Sequence, residues 1–131
     1  MFFIDTNIFA YALLDRGRKG AACTGLLDQV VRGKQASTSP LVLDELMWVL
    51  AKNGRAGSIP SVVAKVCAMP NLTVLPVGGQ TAEQASKLVA EFGLKPRDAM
   101  HLAVMREHGL SAILSDDRDF DKIKGIKRIA P

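Results

Sequence analysis

At 131 residues, 48% of them hydrophobic, the chain is long enough for one domain with a buried core and too apolar for a disordered segment. No apolar run reaches membrane-spanning length, and the opening stretch lacks a basic start and is interrupted by Asp5. Neither a transmembrane helix nor a secretory signal is therefore expected, and the reading is a soluble, cytoplasmic protein with no membrane partner. The formal net charge of +4 suits a nucleic-acid partner without requiring one.

Phe2-Phe3-Ile4, closed by Asp5-Thr6-Asn7, predicts a buried parallel strand with Asp5 at its carboxyl end. Residues 7–15 read as a short helix. Residues 20–32 carry Cys23, Leu26, Leu27, Val30 and Val31 at helical spacing, and Gly33 stops that helix. Residues 35–38 are a second strand. Ser39-Pro40 opens the next helix, the serine as cap and the proline at the first helical position, and the helix runs to about Asn53. A helix over 59–69 follows, then a β-branched strand over 72–77 and a Gly78-Gly79 turn. Helices over 81–92 and 96–108 end at Gly93 and Gly109. A strand over 112–115, an acidic turn and a short strand over 127–130 complete the chain. Strands alternating with helices predict an α/β sandwich, a parallel sheet with crossover helices. Cys23 and Cys67, both on apolar helical positions, are expected to be buried, reduced thiols.

Carboxylates fall at informative places. In a parallel sheet the acids that follow two strands share one edge, and this puts Asp5 near Asp116 and Asp117. Glu45 lies between Leu41 and Val49 on the rim of an apolar stripe. It faces inward toward a cleft, or else stays at the rim with Lys52 or water. Asp98 shares a helix face with Leu102 and Met105. Its alternatives are a buried site and a first-turn acid that complements the helix dipole. Oxygen-only ligands select Mg²⁺ or Mn²⁺ over zinc. Asp119 and Asp121 read as surface or capping residues. His101 reads as a packed, satisfied side chain at the rim, not a base, and His108 as a cation at a helix C-terminus. Trp48 is expected to be partly buried. Arg97 is either a phosphate contact or a surface residue at a helix start. Arg16, Arg18 and Lys19 form one basic cluster, and Lys122, Lys124, Lys127 and Arg128 another.

With these residues in view, the chain resembles the PIN domains, especially the VapC-type ribonuclease toxins. Phe3-Ile4-Asp5-Thr6-Asn7 looks like the family's opening motif, and Leu43-Asp44-Glu45-Leu46 like its second. Leu94–Ala103, with its Pro-Arg-Asp-Ala-Met-His run, is similar to the third, and Leu114–Phe120 to the fourth. The likeness spans the chain, so it implies a single PIN domain over 1–131, an α/β/α sandwich with a central parallel sheet of about five strands. It implies an acidic metal site of Asp5, Glu45, Asp98 and Asp117, with Asp116 an open alternative to Asp117. Thr6, Asn7 and Ser115 would orient those carboxylates. The implied activity is Mg²⁺- or Mn²⁺-dependent endoribonucleolytic cleavage by metal-activated water, leaving 5′-phosphate and 3′-hydroxyl ends. A cognate antitoxin and a homodimer come with the resemblance. The competing readings are a non-toxin PIN nuclease of RNA processing and a catalytically silent RNA- or protein-binding module. An acid-based phosphatase is disfavoured by Asn7, which stands where a second acid would be needed.

Overall fold

In the computed structural model, which describes residues 1–131, Phe2–Ile4 is the central strand β1, buried at all its positions as its unbroken apolar run predicts. The chain continues through α1 (Thr6–Leu14), α2 (Arg18–Val31), β2 (Ala36–Thr38), α3 (Pro40–Lys52), α4 (Ile59–Cys67) and β3 (Leu72–Val74). It ends with α5 (Gly79–Phe92), α6 (Pro96–Glu107), β4 (Ala112–Leu114) and β5 (Lys127–Ile129). The five strands form one parallel sheet in the order β3-β2-β1-β4-β5, flanked by the six helices of an α/β/α sandwich. From β1 the chain first builds one side of the sheet, through β2 and β3, and then returns to the other side at β4. The β1–β4 pair is thus the topological switch point, where the carboxyl ends of strands leave a crevice. Phe3 pairs with Ile113 and Ile4 with Leu114, and Asp5 N–H continues the ladder to the Leu114 carbonyl at 3.0 Å.

The core divides between the two faces. Phe3, Ile4, Ile8, Phe9, Leu46 and Leu50 belong to one cluster; Ala85, Leu88, Leu102 and Ile123 belong to the other. β2 is polar yet buried. Its hydroxyls find backbone partners on β1: Thr38 Oγ1 donates to the Ile4 carbonyl at 3.1 Å, and Ser37 Oγ reaches the Phe2 carbonyl at 3.4 Å. Between α1 and α2 the backbone passes so close that a Cβ on Gly20 would sit 1.8 Å from the Asp15 carbonyl oxygen, so only glycine fits.

Several expectations need correction. β3 stops at Val74 and not at 77; Pro76 has no N–H for a ladder, and Leu75 makes the last bond, to the Thr38 carbonyl. The acidic turn contains a short 3₁₀ helix, Arg118–Lys122, which strand–helix alternation gave no reason to expect. Cys23 is buried as expected, but Cys67 is exposed, because Val66 takes the inward place at the end of α4. Trp48 is 65% exposed. It lies two residues from both Leu46 and Leu50, which puts it on the far side of α3 from the core, with the Lys52 ammonium 5.4 Å from its ring.

A carboxylate cleft as candidate metal centre

Each acid singled out in the sequence arrives at the switch point by its own route. Asp5 follows β1 and caps α1: Oδ1 accepts from Thr6 N–H at 2.7 Å. Its Oδ2 accepts from Asn7 Nδ2 at 2.8 Å and from Ser115 Oγ at 2.5 Å. Asn7 also accepts from Asp116 N–H, and Ser115 Oγ accepts from Asp117 N–H, both at 3.0 Å. These two side chains therefore lock the end of β1 to the end of β4. Asp98 lies in the first turn of α6, and Asp117 caps the 3₁₀ helix by accepting from Asp119 N–H at 2.9 Å. Three of the four acids thus sit at helix starts, where backbone N–H groups and the helix dipole favour negative charge.

Glu45 is different. It is in mid-α3, with no helix terminus to stabilise it. Its Oε1 lies 2.7 Å from Nε2 of His101, and its Oε2 is 4.0 Å from the Arg97 guanidinium, which also reaches Asp44 at 3.4 Å. Neither Lys52 nor the rim supplies its partner. His101 is not at the rim either: it is 0% exposed, its ring packs against Phe3 at 5.6 Å, and Nε2 is 3.8 Å from Asp5. The spacing put it beside the apolar stripe; the depth of α6 against the sheet, where Leu102 to Met105 are also buried, carries it inside.

Asp5, Thr6, Asn7, Glu45, Asp98 and Asp117 line one cleft of about 280 Å³, together with Tyr11 of α1. Asp98, Asp117 and Asp119 each bring a carboxylate oxygen within 4.8 Å of the others. Asp119, read from the sequence as a surface or capping residue, is thus within reach of those two, while its Oδ1 also pairs with Lys122 at 2.9 Å; its two-residue spacing from Asp117 was the signal available. Asp116 turns away instead. It pairs with Lys19 at 2.7 Å and accepts from Tyr11 Oη at 3.3 Å, contacts that hold its carboxyl below the usual range. Arg128 grips Asp121 through Nε at 2.8 Å and Nη2 at 3.0 Å, and donates from Nη1 to the Ser115 carbonyl at 3.1 Å. This pins the acidic turn to the sheet edge.

The acids crowd one another. Burial, and then the charges of Asp117 and Asp5, push the Asp98 carboxyl up to about 6. Burial also raises Asp5, against the opposing pull of His101, Ser115 and the Thr6 N–H. The donor set fits a hard divalent cation. Its oxygens are carboxylates, and Asp98 Oδ2 is buried with no hydrogen-bond donor in reach.

A parallel five-stranded sheet with acids gathered at its switch point is the architecture of the PIN domain. Residues 2–126 match the model of that family, and the chain belongs to it. The chain is 29% identical over 132 residues to ribonuclease VapC13 of Mycobacterium tuberculosis, an alignment covering 99% of this chain and all of the relative. Among solved structures it resembles VapC20 of the same organism, a toxin described as cleaving the sarcin–ricin loop, with a TM-score of 0.78 at 22% identity over 92% of this chain and 93% of that one. A toxin–antitoxin complex from Klebsiella pneumoniae aligns with a TM-score of 0.70 at 22% identity, covering 96% of this chain and 95% of its own.

Proposed function

We propose that the protein is a Mg²⁺- or Mn²⁺-dependent endoribonuclease and the toxin of a toxin–antitoxin pair. The observation that carries this reading is the convergence of Asp5, Glu45, Asp98 and Asp117 on one open cleft, with a buried Asp98 oxygen that no donor answers. These four acids, with Asp119, would hold the cation. When bound, such a cation neutralises the approaching phosphodiester and supplies a water acidic enough to act as a nucleophile. The chain's own residues do the rest. Ser115, Asn7 and the Thr6 N–H fix both oxygens of Asp5 before any ligand arrives. Arg97, half-exposed at the mouth of the cleft, is placed to exchange Asp44 for a phosphate oxygen. Arg16 and Arg18 at one side and Lys122 and Lys124 at another are exposed cations that would draw in an RNA backbone. Hydrolysis by an activated water leaves 5′-phosphate and 3′-hydroxyl ends.

The ribonuclease and toxin names of the relatives support the substrate and biological role, as does the antitoxin-bound state of the Klebsiella structure. A cognate antitoxin and a homodimer complete the reading. The test is cleavage of a mixed RNA pool by the purified protein. Cleavage should stop in EDTA, return with Mn²⁺ and vanish in Asp5→Asn, with the new ends carrying 5′-phosphates. Chelator-resistant cleavage, or an active Asp5→Asn, would refute the site. Expression that does not arrest growth would refute the toxin role.

A further inference from the structure

The acids of the cleft fall into two kinds. Asp5, Asp98 and Asp117 lie at helix starts, and Glu45 does not. From this contrast we infer that His101 is the positioning residue of Glu45: its Nε2–H clamps one glutamate oxygen so that the other stays turned to the cleft for the metal. The inference rests on the metal-dependent reading of the site.

The chemistry is constrained. A carboxylate has only acceptors, so in a 2.7 Å contact with Glu45 Oε1 the hydrogen belongs to His101 Nε2. Nδ1 is buried with no partner, so the contact with Glu45 is the one hydrogen bond the ring makes. Phe3 stacks obliquely at 5.6 Å and the ring has no exposure, which leaves it no alternative rotamer in solvent. His101 lies three residues after Asp98 on the same face of α6, so one helix delivers a ligand directly and aligns a second ligand on α3. Without the clamp, Glu45 is free to collapse onto Arg97, whose guanidinium is 4.0 Å from Oε2.

The experiment is Mn²⁺ titration of the purified, metal-free protein by calorimetry, with circular dichroism as the folding check. His101→Leu keeps much of the volume and removes the donor; His101→Gln returns an N–H at the reach of Nε2. His101→Leu should weaken Mn²⁺ binding by roughly 10–100-fold, and His101→Gln should recover to within about threefold of the parent. In a Glu45→Ala background the His101→Leu change should add less than about threefold, because the histidine acts through that glutamate. Full-strength binding by a folded His101→Leu, equal losses in the leucine and glutamine variants, or an undiminished effect in the Glu45→Ala background would each overturn the inference. If the parent itself binds no Mn²⁺, the metal reading and this inference fall together. If the parent binds and Asp98→Asn does not while His101→Leu does, only the inference falls.

Discussion

The metal-free cleft carries a stability cost that a single substitution should expose. The Asp98 carboxyl is raised from 3.8 to about 6, first by burial and then by Asp117 and Asp5. A raised carboxyl means that the folded state holds the proton more tightly than the unfolded chain does. The contribution of this group to the stability of the metal-free protein is therefore full below 3.8 and is lost as pH rises through about 6. Taken at face value the shift is about 3 kcal/mol, but Asp98 is only half-buried, so solvent screening brings the cost to roughly 1–2 kcal/mol. Asp98→Asn keeps the shape and removes the charge, and its amide becomes a donor among acceptors. In EDTA at pH 7.5 the variant should be more stable than the parent by that amount, a rise in Tm of roughly 3–8 °C for a chain of this size. The advantage should shrink toward pH 4.5, where the parent's own carboxyl is protonated. Adding Mn²⁺ at about a hundredfold excess over Kd should reverse the order, because binding then gives the parent about 2.7 kcal/mol that the variant lacks. Urea denaturation followed by circular dichroism at the two pH values measures all three effects. A variant no more stable than the parent at pH 7.5, or an advantage independent of pH, would refute the account of a strained acid cluster.

Other consequences are simpler to check. Asp116→Asn should leave RNA cleavage within about threefold of the parent, while Asp117→Asn should lose it by at least about 100-fold, since Asp116 is engaged by Lys19 and Tyr11 and Asp117 lines the cleft; a gel assay on one RNA separates them. Gly20→Ala should destabilise the fold by about 2–3 kcal/mol in urea melts, because its Cβ would overlap the Asp15 carbonyl. A thiol reagent should label Cys67 quickly in the native protein and Cys23 only on unfolding, which mass spectrometry of the labelled peptides reads directly.

Order and type of the elements were legible because their signals are local. An unalternating apolar strand at residues 2–4, Pro40 as the first residue of α3 and Pro96 as the first residue of α6 each state a boundary in one or two residues, although Ser39 Oγ makes no capping bond. The gathering of Asp5 and Asp117 was legible too, since strand ends in a parallel sheet must share an edge. What escaped depends on partners distant in the chain. Nothing in the periodicity of α6 says that His101 meets Glu45, 56 residues earlier, and not solvent. Nor does the sequence say that Lys19, 97 residues before Asp116, pairs with the first of the adjacent acids at 116 and 117. At Trp48 phase outweighs hydrophobicity: on a helix whose core positions are 42, 43, 46 and 50, residue 48 faces outward whatever its side chain.

The same contrast runs through the supports of the acidic cleft. Asp5 accepts from Thr6 N–H at the start of α1 and Asp117 from Asp119 N–H at the start of the 3₁₀ helix, while Asp98 lies in the first turn of α6 with its Oδ2 unanswered. Glu45 has no such terminus. It depends instead on side chains contributed by α6, His101 from within and Arg97 from the mouth. The cleft is thus built from strand ends and helix starts with one exception, and that exception makes the packing of α6 against α3 the contact on which the completeness of the acidic set depends.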